Sequence, residues 1–249
     1  MGADGSHLPA TLYDLAGSRD GGSTTPRISE KIYSQVANRL SQLIEDVDTI
    51  GVDRDEKREL LTLQVTGKDG TTHPARALSD GTLRFLALAV IELDPESQGL
   101  LCLEEPENGI HPARIPAMLR LLRDIVTDPF EKVGEDNPLR QVIVNTHSPA
   151  VVAQVPDESL VLADLKPTER DGVWSKGLGL SCLPGTWRAS TEEMDVVVKG
   201  ELLAYLNPIP QQRTETEYRH DRTHVRQQMR RVIDRKDMQL ALGFKIETD

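Results

Sequence analysis

The sequence predicts an α/β fold, a layered and mainly parallel sheet flanked by helices, and three observations carry that prediction. Short apolar runs at residues 100–103 (Leu-Leu-Cys-Leu) and 141–144 stop abruptly at polar residues, as parallel strands do where their C-terminal edge opens onto a site. Segments of helical periodicity alternate with those runs, which is the order of a layered sheet. The chain has 249 residues, 38% of them hydrophobic, enough for one sizeable core with a small appendage.

Taken in order, residues 28–44 place Ile28, Ile32, Val36, Leu40, Leu43 and Ile44 at helical spacing. Before them, residues 17–25 form a Gly/Ser/Thr loop without apolar periodicity. Residues 60–65 alternate like a strand, and Gly67-Lys68-Asp69-Gly70 reads as a turn. From Ser79 to about Glu92 runs a helix that Ser79 or Asp80 can cap, apolar around most of its circumference and therefore buried on several sides. The run 100–103 is a buried parallel strand, with Cys102 in its core. A helix starts near Pro112 and puts Ile115, Met118, Leu119, Leu122, Ile125 and Val126 on one face. A polar loop spans 128–138, a second buried strand 141–146, and a third strand 159–164.

Charge divides the chain. Lys and Arg total 29 against 40 Asp and Glu, a net −11. Residues 199–249 nevertheless carry about +2, with Arg213, Arg219, Arg222, Arg226, Arg230, Arg231, Arg235 and Lys236 close together. A basic segment on an acidic body permits contact with nucleic acid without requiring it. Two cysteines are too few for a disulfide scaffold or a Cys-rich zinc site. No run approaches the roughly 20 apolar residues of a membrane helix, and no basic-then-apolar leader opens the chain, so a cytoplasmic protein with no membrane partner is expected.

Three clusters at element ends can carry chemistry. Ser79, Asp80 and Gly81 open a helix, where backbone N–H groups and the helix dipole suit an anion such as phosphate; alone they equally make an ordinary cap. Glu104 and Glu105, followed by Pro106-Glu107-Asn108-Gly109, set adjacent carboxylates at a strand end. That pair suits a divalent cation and a polarised water. His147, between Thr146 and Ser148 after the second strand, could touch a phosphate oxygen, although a lone histidine is usually structural.

In order and spacing these clusters resemble the second half of an ABC-type ATPase head. The runs Leu-Ser-Asp-Gly-Thr-Leu-Arg-Phe, Glu-Glu-Pro-Glu-Asn-Gly-Ile-His-Pro and Asn-Thr-His-Ser-Pro are more narrowly similar to AAA-type ATPases related to RecF and the structural-maintenance-of-chromosomes heads. The resemblance covers about residues 75–165. It implies a P-loop ATPase core there, a lobe-connecting region over 1–74 and a mixed C-terminal extension with a basic helix over 166–249. Residues 78–81 resemble the signature motif, 100–105 a Walker B strand with its catalytic glutamate, and His147 the switch histidine.

The resemblance further implies ATP and Mg2+ as cofactors. Glu104 would lie near the metal, Glu105 would act as general base, and His147 would contact the γ-phosphate. Ser79, Asp80, Gly81 and Asn108 would take part in nucleotide binding. Ser79 and Gly81 would serve a nucleotide held by the opposite subunit of a head-to-tail dimer, with Glu107 and Asn108 in the segment that crosses the interface. It implies hydrolysis coupled to head dimerisation, in DNA repair or anti-phage defence, with DNA and an effector nuclease as further partners.

One departure is large. The sequence contains no G-x-x-x-x-G-K-[ST], so the lysine and glycine cradle for the β- and γ-phosphates is lacking. Gly17 to Thr24 has the spacing, but Ser23 stands where lysine belongs, and no buried strand precedes it. The expectation is a C-terminal lobe: a fragment, a product of an internal start, or one half of a split ATPase, inactive alone. The rival is a non-catalytic module that offers the signature in trans or holds nucleic acid. His220 and His224 lie four apart, a spacing that can bind zinc, but without the acid a metalloprotease requires they read as solvated.

Overall fold

The computed structural model describes residues 7–17, 26–170, 173–191 and 194–206. All of these belong to one compact unit, Met1–Leu206. The basic segment 211–236, with His220 and His224, lies outside the described residues, as do residues 18–25 of the glycine-rich loop.

Helix α1 (Leu8–Gly17) accommodates Pro9 in its first turn, where a missing N–H leaves no bond unmade. Helix α2 (Pro26–Ser41) realises the periodicity read from the sequence, and Val36 and Leu40 on its inner face are fully buried. Strands β1 (Val47–Asp55), β2 (Leu60–Gly67) and β3 (Thr72–Pro74) form an antiparallel meander. Its second turn is set by Gly70, whose φ is +80°, and by Asp69, whose carboxylate accepts the Thr71 N–H at 2.9 Å and its hydroxyl at 2.8 Å.

Helix α3 (Asp80–Leu93) is the centre of the core. Phe85, Leu86, Ala89 and Val90 have no exposed surface, and it packs against α1, α2 and α4 (Ile115–Ile125), as a helix apolar on most sides must. A charged junction ties three of these helices: Arg39 of α2 donates to Glu92 of α3 at 2.8 Å and pairs with Asp124 of α4 at 2.7 Å.

Strands β4 (Gly99–Glu104) and β5 (Arg140–Asn145) pair in parallel, from Gly99 opposite Arg140 to Glu104 opposite Asn145. Their alternation corrects the expectation of two buried strands. Leu101, Leu103, Val142 and Val144 pack on the core, but Leu100, Cys102, Glu104, Gln141, Ile143 and Asn145 face outward. Leu100 is 57% exposed, Ile143 51%, and Cys102 is exposed rather than core. An apolar run does not reveal how many of its faces are covered; here the helices cover one. Val126, expected on the buried face of its helix, is the residue after α4 ends, has left helical geometry, and is 39% exposed.

Arg140 is 6% exposed and closes the C-terminal end of α3. It donates Nε to the Ser97 carbonyl at 2.5 Å, Nη1 to the Glu92 carbonyl at 3.1 Å, and Nη2 to the Asp94 carbonyl. Those bonds occupy carbonyls at and just past the helix end that have no helical partner. Arg140→Met is expected to destabilise the unit by about 2 kcal/mol, as charge-assisted bonds vanish and their acceptors stay half-buried. Denaturant unfolding checks it.

The expected third strand does not join this sheet. Strand β6 (Val161–Arg170) pairs antiparallel with β7 (Val173–Cys182), and β8 (Asp195–Val196) adds in parallel to β7. The α/β class therefore stands, but in place of one mainly parallel sheet the described strands form three small sheets, parallel at β4–β5 and β7–β8 and antiparallel at β1–β2, β2–β3 and β6–β7. The β6 strand also runs through residue 165, where the sequence placed a boundary. Short helices α5 (Pro149–Val152) and α6 (Lys199–Leu206) pack Val152 and Leu202 on Leu183 beneath the hairpin. No helix among the described residues is long and apolar enough to cross a membrane.

Candidate active site

The site is assembled at the C-terminal ends of β4 and β5, where parallel strands present residues to a crevice. Three segments meet there. Ser79 caps α3 from an extended conformation, accepting the Thr82 N–H at 3.2 Å and exchanging a 2.9 Å hydroxyl bond with Thr82. Asp80 sits exposed in the first turn, favourably placed against the helix dipole.

Gly81 is buried, and its identity is enforced. A Cβ there would lie 2.6 Å from the Gly109 carbonyl oxygen and 3.2 Å from that of Asn108. The first turn of α3 thus rests directly on the backbone of the loop that follows Glu105. Gly109 itself has a φ of +78°, a conformation that costs other residues energy.

Glu105 is held in the left-handed region, with a φ of +42°, immediately before Pro106. Such a conformation costs a non-glycine residue about 1–3 kcal/mol and persists only where neighbours impose it. Here they do. The Glu105 N–H donates to the Asn145 carbonyl at 2.8 Å. Its carbonyl accepts Arg84 Nη1 at 2.8 Å and the Asn108 N–H at 3.0 Å. Asn108 Nδ2 also donates to Glu105 Oε2 at 2.7 Å. Glu104, the last residue of β4, is exposed on the strand face that the helices leave open.

The third segment joins the second through Glu107. The Thr146 hydroxyl donates to Glu107 Oε1 and accepts the Ser148 N–H at 3.0 Å. Glu107 Oε2 is buried and has no hydrogen-bond partner among the described residues. His147, between Thr146 and Ser148, is exposed. Beyond the loop, Arg114 pairs with Glu45 and holds that carboxyl below the usual glutamate range.

The structure therefore unites Gly81, Glu105, Asn108 and the backbone at Asn145, while Ser79, Asp80, Glu104 and His147 are exposed at the neighbouring segment ends. Two contacts escaped the sequence reading, that of Arg84 with the Glu105 carbonyl and that of Thr146 with Glu107. Arg84 is the one charged residue in the run from Gly81 to Ile91, a signal that could have marked it. The bond between Thr146 and Glu107 spans 39 residues and left no local signal.

Glu104 and Glu105 are oxygen donors of the kind Mg2+ prefers, although no group of three or more His, Cys, Asp or Glu that could hold a metal ion is gathered among the described residues. At the α3 cap Ser79 and Asp80 are exposed, while Gly81 is covered by the Gly109 backbone. The orphaned Glu107 oxygen shows that polar groups at this edge exceed the partners the described residues provide.

Comparison with known proteins gives a family match over residues 23–153, to the family described as "AAA domain, putative AbiEii toxin, Type IV TA system". No curated protein matches the sequence. Among solved structures, the chain is similar to one from work on ATP-driven dimerisation and DNA-stimulated activation of SMC ATPases. The identity there is 11% and the TM-score 0.35, covering 62% of this chain and 89% of that one. It is similar also to an SmcHead bound to the C-winged helix domain of ScpA, at 13% identity and TM-score 0.38, with 70% of this chain and 53% of that chain covered. A third is the Smc head domain with a coiled coil and joint from Pyrococcus yayanosii, at 13% identity and TM-score 0.38, covering 63% of this chain. Of that last chain, the similarity spans 27%.

Proposed function

The chain belongs to the AbiEii-type AAA domain family, and on that premise we propose that it is the C-terminal lobe of an ATPase head whose phosphate loop lies outside these 249 residues. The observation that carries the reading is the convergence of three motifs at one sheet edge. Glu105 is bonded to Asn145 and Asn108, and the signature turn rests on Gly109.

In this reading Glu105 is the general base that takes the proton from the attacking water, with its carboxylate aimed by Asn108. Glu104 would help to hold Mg2+, which when bound would supply charge neutralisation for the phosphates. Ser79 and Gly81 offer backbone and hydroxyl donors to the γ-phosphate of a nucleotide held by a second head, and His147 contacts the γ-phosphate of the nucleotide on which Glu105 acts. Hydrolysis then releases a dimer that ATP had joined. The open face of β4–β5, bearing Leu100, Cys102 and Ile143, supports the reading, because an exposed apolar sheet face is normally covered by another layer. A role in DNA repair or in defence against foreign DNA, with DNA or an effector nuclease as partner, accords with the basic segment 211–236 and with the toxin–antitoxin description of the family.

Subunit mixing tests the arrangement. In the protein that carries the phosphate loop, Ser79→Arg and a loss of the loop lysine each abolish turnover. Mixed together they regain part of it, because one composite site in the mixed dimer keeps both wild-type halves. No recovery on mixing would mean that Ser79 does not act across subunits.

A further inference from the structure

We propose that Arg84 is a positioning residue for Glu105: its guanidinium, bonded to the Glu105 carbonyl, fixes the left-handed turn that aims the carboxylate and couples that turn to the signature helix. For its kinetic part the inference rests on the ATPase reading; for its structural part it does not.

The geometry points to Arg84 in four steps. Glu105 occupies a φ of +42° that its own chemistry disfavours, so its conformation is imposed from outside. The bonds imposing it come from Asn145 on β5, from Asn108 in its own loop, and from Arg84 on α3. Of these, Arg84 brings the charge-assisted bond, the stronger kind, from a partly buried guanidinium.

Lastly, Arg84 stands five residues after Ser79 on a helix whose flanking side chains are buried: Phe85 and Leu86 have no exposed surface. A cation set there costs desolvation, which its bond to the Glu105 carbonyl offsets. The first turn of the same helix carries the phosphate-facing Ser79 and Gly81 and rests on Gly109. A displacement of α3 on engaging a nucleotide would therefore reach the Glu105 backbone through two rigid contacts, the Gly81–Gly109 packing and the Arg84 bond. The device makes the base ready only when the signature helix is seated.

Hydrogen–deuterium exchange on the 249-residue chain tests the clamp, comparing wild type, Arg84→Met and Arg84→Lys. In Arg84→Met, peptides covering residues 104–111 should exchange about tenfold faster while α4 keeps its protection; Arg84→Lys, which retains a donor, should recover part of the difference. Equal exchange in all three would overturn the proposal. Should Arg84→Met lose protection throughout, the lysine variant decides: exchange raised over 104–111 but not over α4 upholds the clamp, and exchange raised equally over both, or over neither, refutes it.

In the protein that carries the phosphate loop, Arg84→Met should lower kcat about tenfold with KM for ATP within twofold, and Arg84→Lys should restore most of kcat. An unchanged kcat would refute the kinetic part. If the wild type itself does not hydrolyse ATP, the ATPase reading fails, and the exchange experiment still judges the clamp.

Discussion

Glu105→Gln, in the protein that carries the phosphate loop, is expected to reduce ATP turnover by about 10²–10³-fold, the range set by loss of a positioned general base. ATP binding should survive, and the ATP-bound dimer should persist instead of dissociating. On the proposed reading, the structure gives a reason for binding and chemistry to separate. Asn108 Nδ2 donates to Glu105 Oε2 at 2.7 Å, and a glutamine carbonyl oxygen can still accept that bond, though without its charge assistance. The backbone bonds to Asn145 and Arg84 do not involve the side chain at all. The variant therefore keeps the shape of the turn and loses only the ability to take a proton. Steady-state ATPase rates and sedimentation with ATP and Mg2+ read both halves, and unchanged turnover would remove Glu105 from the role of base.

Gly81→Ala is expected to destabilise the compact unit by about 3 kcal/mol, or roughly 6–12 °C in Tm for a unit of this size. The added methyl would meet the Gly109 carbonyl oxygen at 2.6 Å and its carbon at 2.7 Å. Both are backbone atoms, so no side chain can swing aside, and either α3 or the Glu105 loop must move. The helix propensity gained by alanine, about 1 kcal/mol, offsets only part of this. Gly200, in α6, is the control, since a methyl there meets nothing within 4 Å and Gly200→Ala should leave Tm unchanged or slightly raised. Thermal unfolding of both variants decides; a Gly81→Ala Tm within about a degree of wild type would mean that α3 and the loop are not in close contact.

What the sequence made legible follows from how local each signal is. The cap at Ser79, the α3 helix and the abrupt strand ends at Glu104 and Asn145 all rest on residue type and spacing within a few positions, and each element formed where its pattern lay. The carboxylate pair was visible for the same reason. The buried state of β4 and β5 was not, because an apolar strand reads alike whether one or both faces are covered. The β6–β7 hairpin was missed: Lys166, Lys176, Gly177 and Gly179 break the apolar alternation, and its pairing partner lies in the segment that reads as an extension. Nor could spacing reveal that Gly81 touches Gly109, or that Thr146 holds Glu107, since both contacts depend on how α3, β4 and β5 come together.

The most direct measurement of the central claim is a paired titration of a fluorescent ATP analogue with Mg2+, competed by unlabelled ATP. One arm uses the 249-residue chain and the other the protein that includes the phosphate loop. The account predicts competable binding only in the second arm, accompanied by dimer formation that Ser79→Arg abolishes. Competable binding by the 249-residue chain alone, or pairing of heads indifferent to Ser79→Arg, would contradict it.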